Sequence, residues 1–107
     1  MQTQIADTLT REAGLLVVAK WQVKPGEADN VAAILGRFLP QAQQEPGVKL
    51  FLIGRGKDDS SQFLFYELFC DEAAFAAHQE SGHFKRHIVG EALPLLADRQ
   101  RAQYRLL

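Results

Sequence analysis

The sequence predicts a single α+β domain: a four-stranded antiparallel sheet with two helical layers on one face, in the order β-α-β-β-α-β. Three observations lead there. Apolar and β-branched residues cluster in short runs separated by Pro-Gly turns. Two intervening segments carry helical rather than alternating spacing. The length of 107 residues with 47% apolar content suits one core.

The elements follow in order. Met1–Ala13 is polar and of mixed charge, and reads as an arm outside the domain, which occupies residues 14–107. Leu15–Val23 (LLVVAKWQV) is β-branched and aromatic and stops at the Lys24-Pro25-Gly26 turn, so it reads as a strand. Glu27–Gln44 carries Val31, Ile34, Leu35 and Phe38 at i, i+3, i+4 and i+7, one apolar helical stripe. Pro40 within it should kink the helix or end its regular part early. Glu45-Pro46-Gly47 closes the helix. Val48–Ile53 and Gln62–Cys70 read as strands of a hairpin across the polar turn Gly54–Ser61. Asp71 is suited to cap a helix starting at Glu72. Ser81 is placed to cap a second helical segment from His83 to about Leu93, which Pro94 disturbs. Arg101–Leu107 is expected to be the last strand. With right-handed crossovers this order is the ferredoxin-like arrangement.

Both faces of the sheet read as apolar. One side of the third strand carries Phe63, Phe65, Glu67 and Phe69, and the other carries Leu64, Tyr66, Leu68 and Cys70. The first strand likewise sets Leu15, Val17, Ala19 and Trp21 against Leu16 and Val18. The chain's own helices cover one face only. The second would leave an apolar patch larger than soluble monomers usually carry, and a two-fold homodimer is the commonest way to cover it.

Composition excludes several classes. A net charge of −1 with scattered Lys and Arg argues against nucleic acid. No apolar run approaches a bilayer span, and the first residues lack a signal-peptide core. The single cysteine, Cys70, forms no internal disulfide and suits the cytoplasm. No phosphate loop, dinucleotide fingerprint or nucleophile elbow is present, so no cofactor is implied.

The Lys24-Pro25-Gly26-Glu27 turn, Glu45-Pro46-Gly47, and Phe65-Tyr66-Glu67-Leu68-Phe69 followed by Asp71-Glu72-Ala73-Ala74-Phe75 resemble antibiotic biosynthesis monooxygenase domains. So does Ala77-His78-Gln79-Glu80-Ser81-Gly82-His83-Phe84, which is similar to that family's helix signature, a histidine followed five residues later by His-Phe. The resemblance spans Gly14 to Leu107. It implies a dimeric α/β barrel with a pocket between sheet and helices. It also implies an activity drawn from cofactor-independent monooxygenation of quinols or polyketides, or isomerisation of a phosphorylated signalling molecule. Phe51 and Phe69 stand where an aromatic with a polar handle is common, which removes donors to a substrate oxygen. Haem-degrading relatives carry a first-strand asparagine and a helix tryptophan that this chain lacks, although His87 falls near their iron-binding histidine.

His78 matches the signature histidine and is the candidate base, since a neutral imidazole takes a proton from a phenol or enol near neutral pH; otherwise it caps its helix. Glu67, the lone charge on an apolar strand, is a second base or an orienting partner of His78, or else a salt-bridge partner of Lys20 or an arginine. Trp21, Phe51, Phe65 and Phe69 are candidate walls for a flat ring or plain core. His83 belongs to the signature as a substrate contact, and Lys20 could steady a phenolate. His83, His87 and Glu91 at i, i+4 and i+8 suggest a metal, but a ligand two turns away reaches poorly, and no metal is expected. The leading expectation is a monooxygenase joining O₂ to a phenolic, quinol or polyketide-like substrate. An isomerase or tautomerase, or a non-enzymatic dimer that binds a small metabolite, are the alternatives.

Overall fold

A computed structural model describes residues 14–107; the expected arm Met1–Ala13 lies outside the described residues. Strand β1 (Leu15–Val23) leads through a turn, with Gly26 at φ +84°, to helix α1 (Ala28–Gln43). Strands β2 (Val48–Arg55) and β3 (Gln62–Phe69) form the hairpin. Helix α2 (Glu72–Glu80), a π-helical segment α3 (Phe84–Ala92), a 3₁₀ turn at Leu93–Leu95 and strand β4 (Leu96–Tyr104) complete the chain. The sheet is antiparallel in the order β2-β3-β1-β4, a ferredoxin-like fold.

Strand alternation decides which side chains meet the helices. Val17, Ala19 and Trp21 of β1 and Phe63, Phe65, Glu67 and Phe69 of β3 are all buried beneath the helical layer. They pack against the α1 stripe of Val31, Ile34, Leu35, Phe38 and Ala42. On the opposite face, Leu52, Leu64, Tyr66 and Tyr104 stay 39–51% exposed, an apolar surface without cover from this chain.

Two expectations need correction. Of the two effects expected of Pro40, an early end of the regular helix is not seen, since the helix continues to Gln43. Phe38 and Ala42, 1% and 0% exposed on either side of it, anchor both halves in the core, and that packing outweighs one missing N–H. The last strand begins at Leu96 rather than Arg101. As an edge strand, β4 is paired only with β1 and carries the polar run Asp98-Arg99-Gln100-Arg101, which hides it from a hydrophobic pattern. The segment after Ser81 is helical as expected but wound as a π-helix, whose i to i+5 bonding is seen where the Leu93 N–H donates to the Ile88 carbonyl.

Candidate active site

His78 is set by its own helix and elbow and by one segment distant in sequence. Asp71 starts α2 by accepting from the Ala74 N–H at 2.8 Å. Ser81 makes the elbow between α2 and α3: its hydroxyl donates to the His78 carbonyl at 2.7 Å and accepts from the Phe84 N–H at 3.2 Å. Glu45 sits in the α1–β2 connection. That connection lies tight on α2, because a Cβ at Gly47 would stand 2.4 Å from the Ala74 Cβ. One oxygen of Glu45, Oε2, lies 2.7 Å from His78 Nδ1 and 2.6 Å from His83 Nε2.

This pairing sets the chemistry of His78. A carboxylate only accepts, so His78 carries its proton on Nδ1 and leaves Nε2 with a lone pair; the tautomer is assigned from the hydrogen-bond partner. The ring is 2% exposed and ringed by Phe38, Phe51, Phe69 and Phe84, with centroids 5.1–5.9 Å away. Burial pushes its pKa below 6.5, while the hydrogen bond and charge of Glu45 oppose that shift and His83 adds to it. His78 is therefore a neutral imidazole at neutral pH, with its basic nitrogen on the side away from Glu45.

Glu67 faces that nitrogen. One of its oxygens, Oε1, is 3.9 Å from His78 Nε2, beyond direct hydrogen bonding but within reach of a bridging water or substrate oxygen. Burial raises the Glu67 pKa from 4.5 to about 8, against the pull of Arg101 and Arg99 and with a small push from Glu45. At neutral pH it is a carboxylic acid that can donate.

Base and acid open on a small recess of about 20 Å³, walled by Trp21, Phe38, Phe51, Phe65, Phe84 and Ile88, with Arg99 and Arg101 also lining it. In this conformation it is narrow, with room for little more than a water molecule. Trp21 Nε1 and Arg99 Nε are buried without a hydrogen-bond partner.

The structure thus brings together His78, Glu67, Trp21, Phe51 and Phe65. Phe69 is fully buried behind His78, in tilted contact with its ring and with that of Phe75, and does not line the recess. His83 acts on His78 through Glu45 and is not part of the wall. Lys20 is misplaced by the expectation. It alternates with Trp21, so it lies exposed on the opposite sheet face, and the cations at the recess are Arg99 and Arg101 instead. Glu45, Phe38, Phe84, Arg99 and Arg101 are not singled out as site residues by the sequence reading.

His83, His87 and Glu91, set aside as a metal site on their spacing, do not converge on one point. His87 is buried and bonds Glu91 through Nδ1 at 2.6 Å, whereas His83 turns to Glu45. Among the described residues, the atoms grouped closely enough to hold an ion are those of Glu45, His78 and His83, all within 4.8 Å of one another. Two imidazoles and a carboxylate are a donor set that divalent transition metals accept.

A sequence model described as antibiotic biosynthesis monooxygenase matches residues 14–89. Among curated proteins, none matches. Solved structures share the fold. The protein PA3566 of Pseudomonas aeruginosa is 25% identical, with TM-score 0.83 over 89% of this chain and 95% of that one. A structure described as an antibiotic biosynthesis monooxygenase is 24% identical, with TM-score 0.82 over 87% of this chain and 98% of the other. A Bacteroides thetaiotaomicron protein named as a candidate of the same kind is 22% identical, with TM-score 0.81 over 90% and 91% of the two chains. The family match covers well over half of the chain, and the motifs around Glu67, His78 and His83 fall inside it: this protein belongs to the antibiotic biosynthesis monooxygenase family.

Proposed function

We propose that the protein is a cofactor-independent monooxygenase of a small phenolic or quinol-like substrate, with His78 Nε2 as the base. The observation that carries this reading is the Glu45–His78–Glu67 arrangement. Glu45 holds the Nδ1 proton, Nε2 is free, and a protonated Glu67 stands across from it at the edge of an aromatic recess. His78 takes the phenolic proton, and the resulting electron-rich ring reduces O₂ and bonds to it. Glu67 then supplies a proton to the outer oxygen. Loss of water leaves a new ring carbonyl: one oxygen atom enters the ring, the other leaves as water, and the ring furnishes all four electrons. No external reductant is needed.

Proton transfer without oxygen, as in an isomerase or tautomerase, draws support from the same base–acid pair. Product formation under strict anaerobiosis separates the two. We further propose that the chain acts in the cytoplasm, in line with its lone Cys70, and as a homodimer, packed through Leu52, Leu64, Tyr66 and Tyr104 on the open face of the sheet. Among the described residues, no helix is long and apolar enough to cross a membrane.

The test is oxygen uptake against hydroquinones and polyphenols, with wild type beside His78→Gln. Uptake above autoxidation that falls in the variant is the expected result. Uptake that is equal in both removes His78 from the mechanism.

A further inference from the structure

We infer that Trp21 Nε1 and Arg99 Nε form an oxyanion subsite in the recess that takes the carboxylate of a planar aromatic acid. The inference rests on the recess described above and names the substrate class it selects.

Buried N–H groups without a partner are rare and costly, because each has given up its bonds to water. Here two occur together. Trp21 is 3% exposed, and its Nε1 is unpartnered. Arg99 is half-buried as a residue, but its Nε is buried and likewise unpartnered. Trp21 and Arg99 are direct cross-strand partners in the β1–β4 register, so their side chains leave the same face of the sheet side by side. Both line the recess. An acceptor placed there satisfies both donors at once.

Charge decides what kind of acceptor. Arg101, two residues along β4, lines the same space, and neither arginine is in an ion pair among the described residues. Glu67 does not neutralise them at neutral pH, since burial keeps it protonated up to about 8. The carboxylate of Glu45 is engaged with His78 and His83 on the far side of the imidazole. A neutral carbonyl would satisfy the donors but leave the half-buried Arg99 guanidinium uncompensated beside an apolar wall, with the more exposed Arg101 adding its positive charge nearby. A carboxylate satisfies both and matches the planar guanidinium fork. The body of the ligand is set by the walls: Trp21, Phe65, Phe38 and Phe51 present aromatic surface, and a flat ring enters as Trp21 and Phe65, now in tilted contact at 4.4 Å between ring centroids, move apart to admit it.

Trp21 is the chain's single tryptophan, so its emission reports occupancy of the subsite without turnover. The probes are benzoate, its neutral isostere benzamide, and acetate, which has the charge but no ring. Benzoate is expected to change Trp21 emission saturably and to bind about tenfold or more tighter than benzamide, as charge-assisted hydrogen bonds imply. Acetate should give no saturable change. Arg99→Met should erase the preference for benzoate over benzamide, and Arg99→Lys should restore part of it. Trp21→Phe, followed by calorimetry, should weaken both aromatic ligands. If Arg99→Met does not fold, the comparison of benzoate with benzamide on wild type decides alone. Equal affinity for the two, no binding of benzoate, or unchanged benzoate binding in a folded Arg99→Met overturns the subsite. Benzoate binding is read on wild type without turnover, so the two readings fail separately: a preference for benzoate over benzamide with no oxygen uptake on any substrate sinks the oxygenase reading alone, and uptake without that preference sinks the subsite alone.

Discussion

Replacing Glu67 by glutamine should make the protein more stable at neutral and mildly alkaline pH, although it removes an ionisable group from the site. Glu67 has a folded-state pKa of about 8 against 4.5 in an open chain. A group whose pKa is raised by folding holds its proton more tightly in the folded state. Its stability contribution is complete below pH 4.5 and drains away as pH rises to about 8. The whole shift corresponds to roughly 5 kcal/mol at ~1.4 kcal/mol per pKa unit, and relaxation around a new charge should bring the observed effect to about 2–4 kcal/mol. Glutamine keeps the shape and a donor but does not titrate. Urea unfolding of wild type and Glu67→Gln should therefore give free energies that agree in mild acid and diverge above it, with the variant ahead by the full margin near pH 8. Parallel curves would refute the reasoning. A wild type that gains on the variant as pH rises would refute it more sharply, since that is the behaviour of a carboxylate ion-paired with Arg99 or Arg101.

Turnover should follow a bell-shaped pH profile, rising through the lowered pKa of His78, below 6.5, and falling near 8 as Glu67 ionises. Glu67→Gln should abolish the falling limb, and His78→Gln should cost about 10²- to 10⁴-fold in initial rates. Dialysis against a chelator should leave turnover unchanged, and added Zn²⁺ should inhibit, because an ion on His78 Nδ1 displaces its proton to Nε2; a chelator that abolished activity would replace the base with a metal centre at Glu45, His78 and His83. Asp71→Ala should lower stability by about 1 kcal/mol in thermal unfolding through loss of the α2 cap. Leu64→Glu, on the open sheet face, should shift the protein to monomer in sedimentation; an unchanged mass would move the interface elsewhere.

How far the sequence could be read depended on whether burial left a mark in it. The α1 stripe, β1 and β3 advertise their buried positions through spacing, and Asp71 and Ser81 act at the helix starts their side-chain chemistry suggested. The π-helical winding of α3 leaves no such mark, because Phe84 and Ile88 are spaced as they would be in an α-helix. Half of the site came from motif residues, and the other half lay in silent stretches. Arg99 and Arg101 belong to a polar edge strand with no alternation to betray it. Glu45 reads as loop punctuation before Pro46, and only the fold carries it to a histidine 33 residues away. Lys20 shows the opposite failing. Strict alternation from Val17 and Ala19 already set it on the outer face, and the attraction of a cation for a phenolate concealed that.

The single carboxylate oxygen shared by His78 and His83 has a consequence for how the protein would lose activity. It pins the α1–β2 connection to the α2–α3 elbow, so any local opening that parts these two segments frees His78 to flip or to change tautomer. Catalytic competence would then vanish before the sheet melts. Warmed samples should lose turnover at temperatures where circular dichroism still records an intact β-sheet, and cooling should restore it. In that sense Glu45 makes activity a local thermometer of one corner of the molecule rather than a report on the whole.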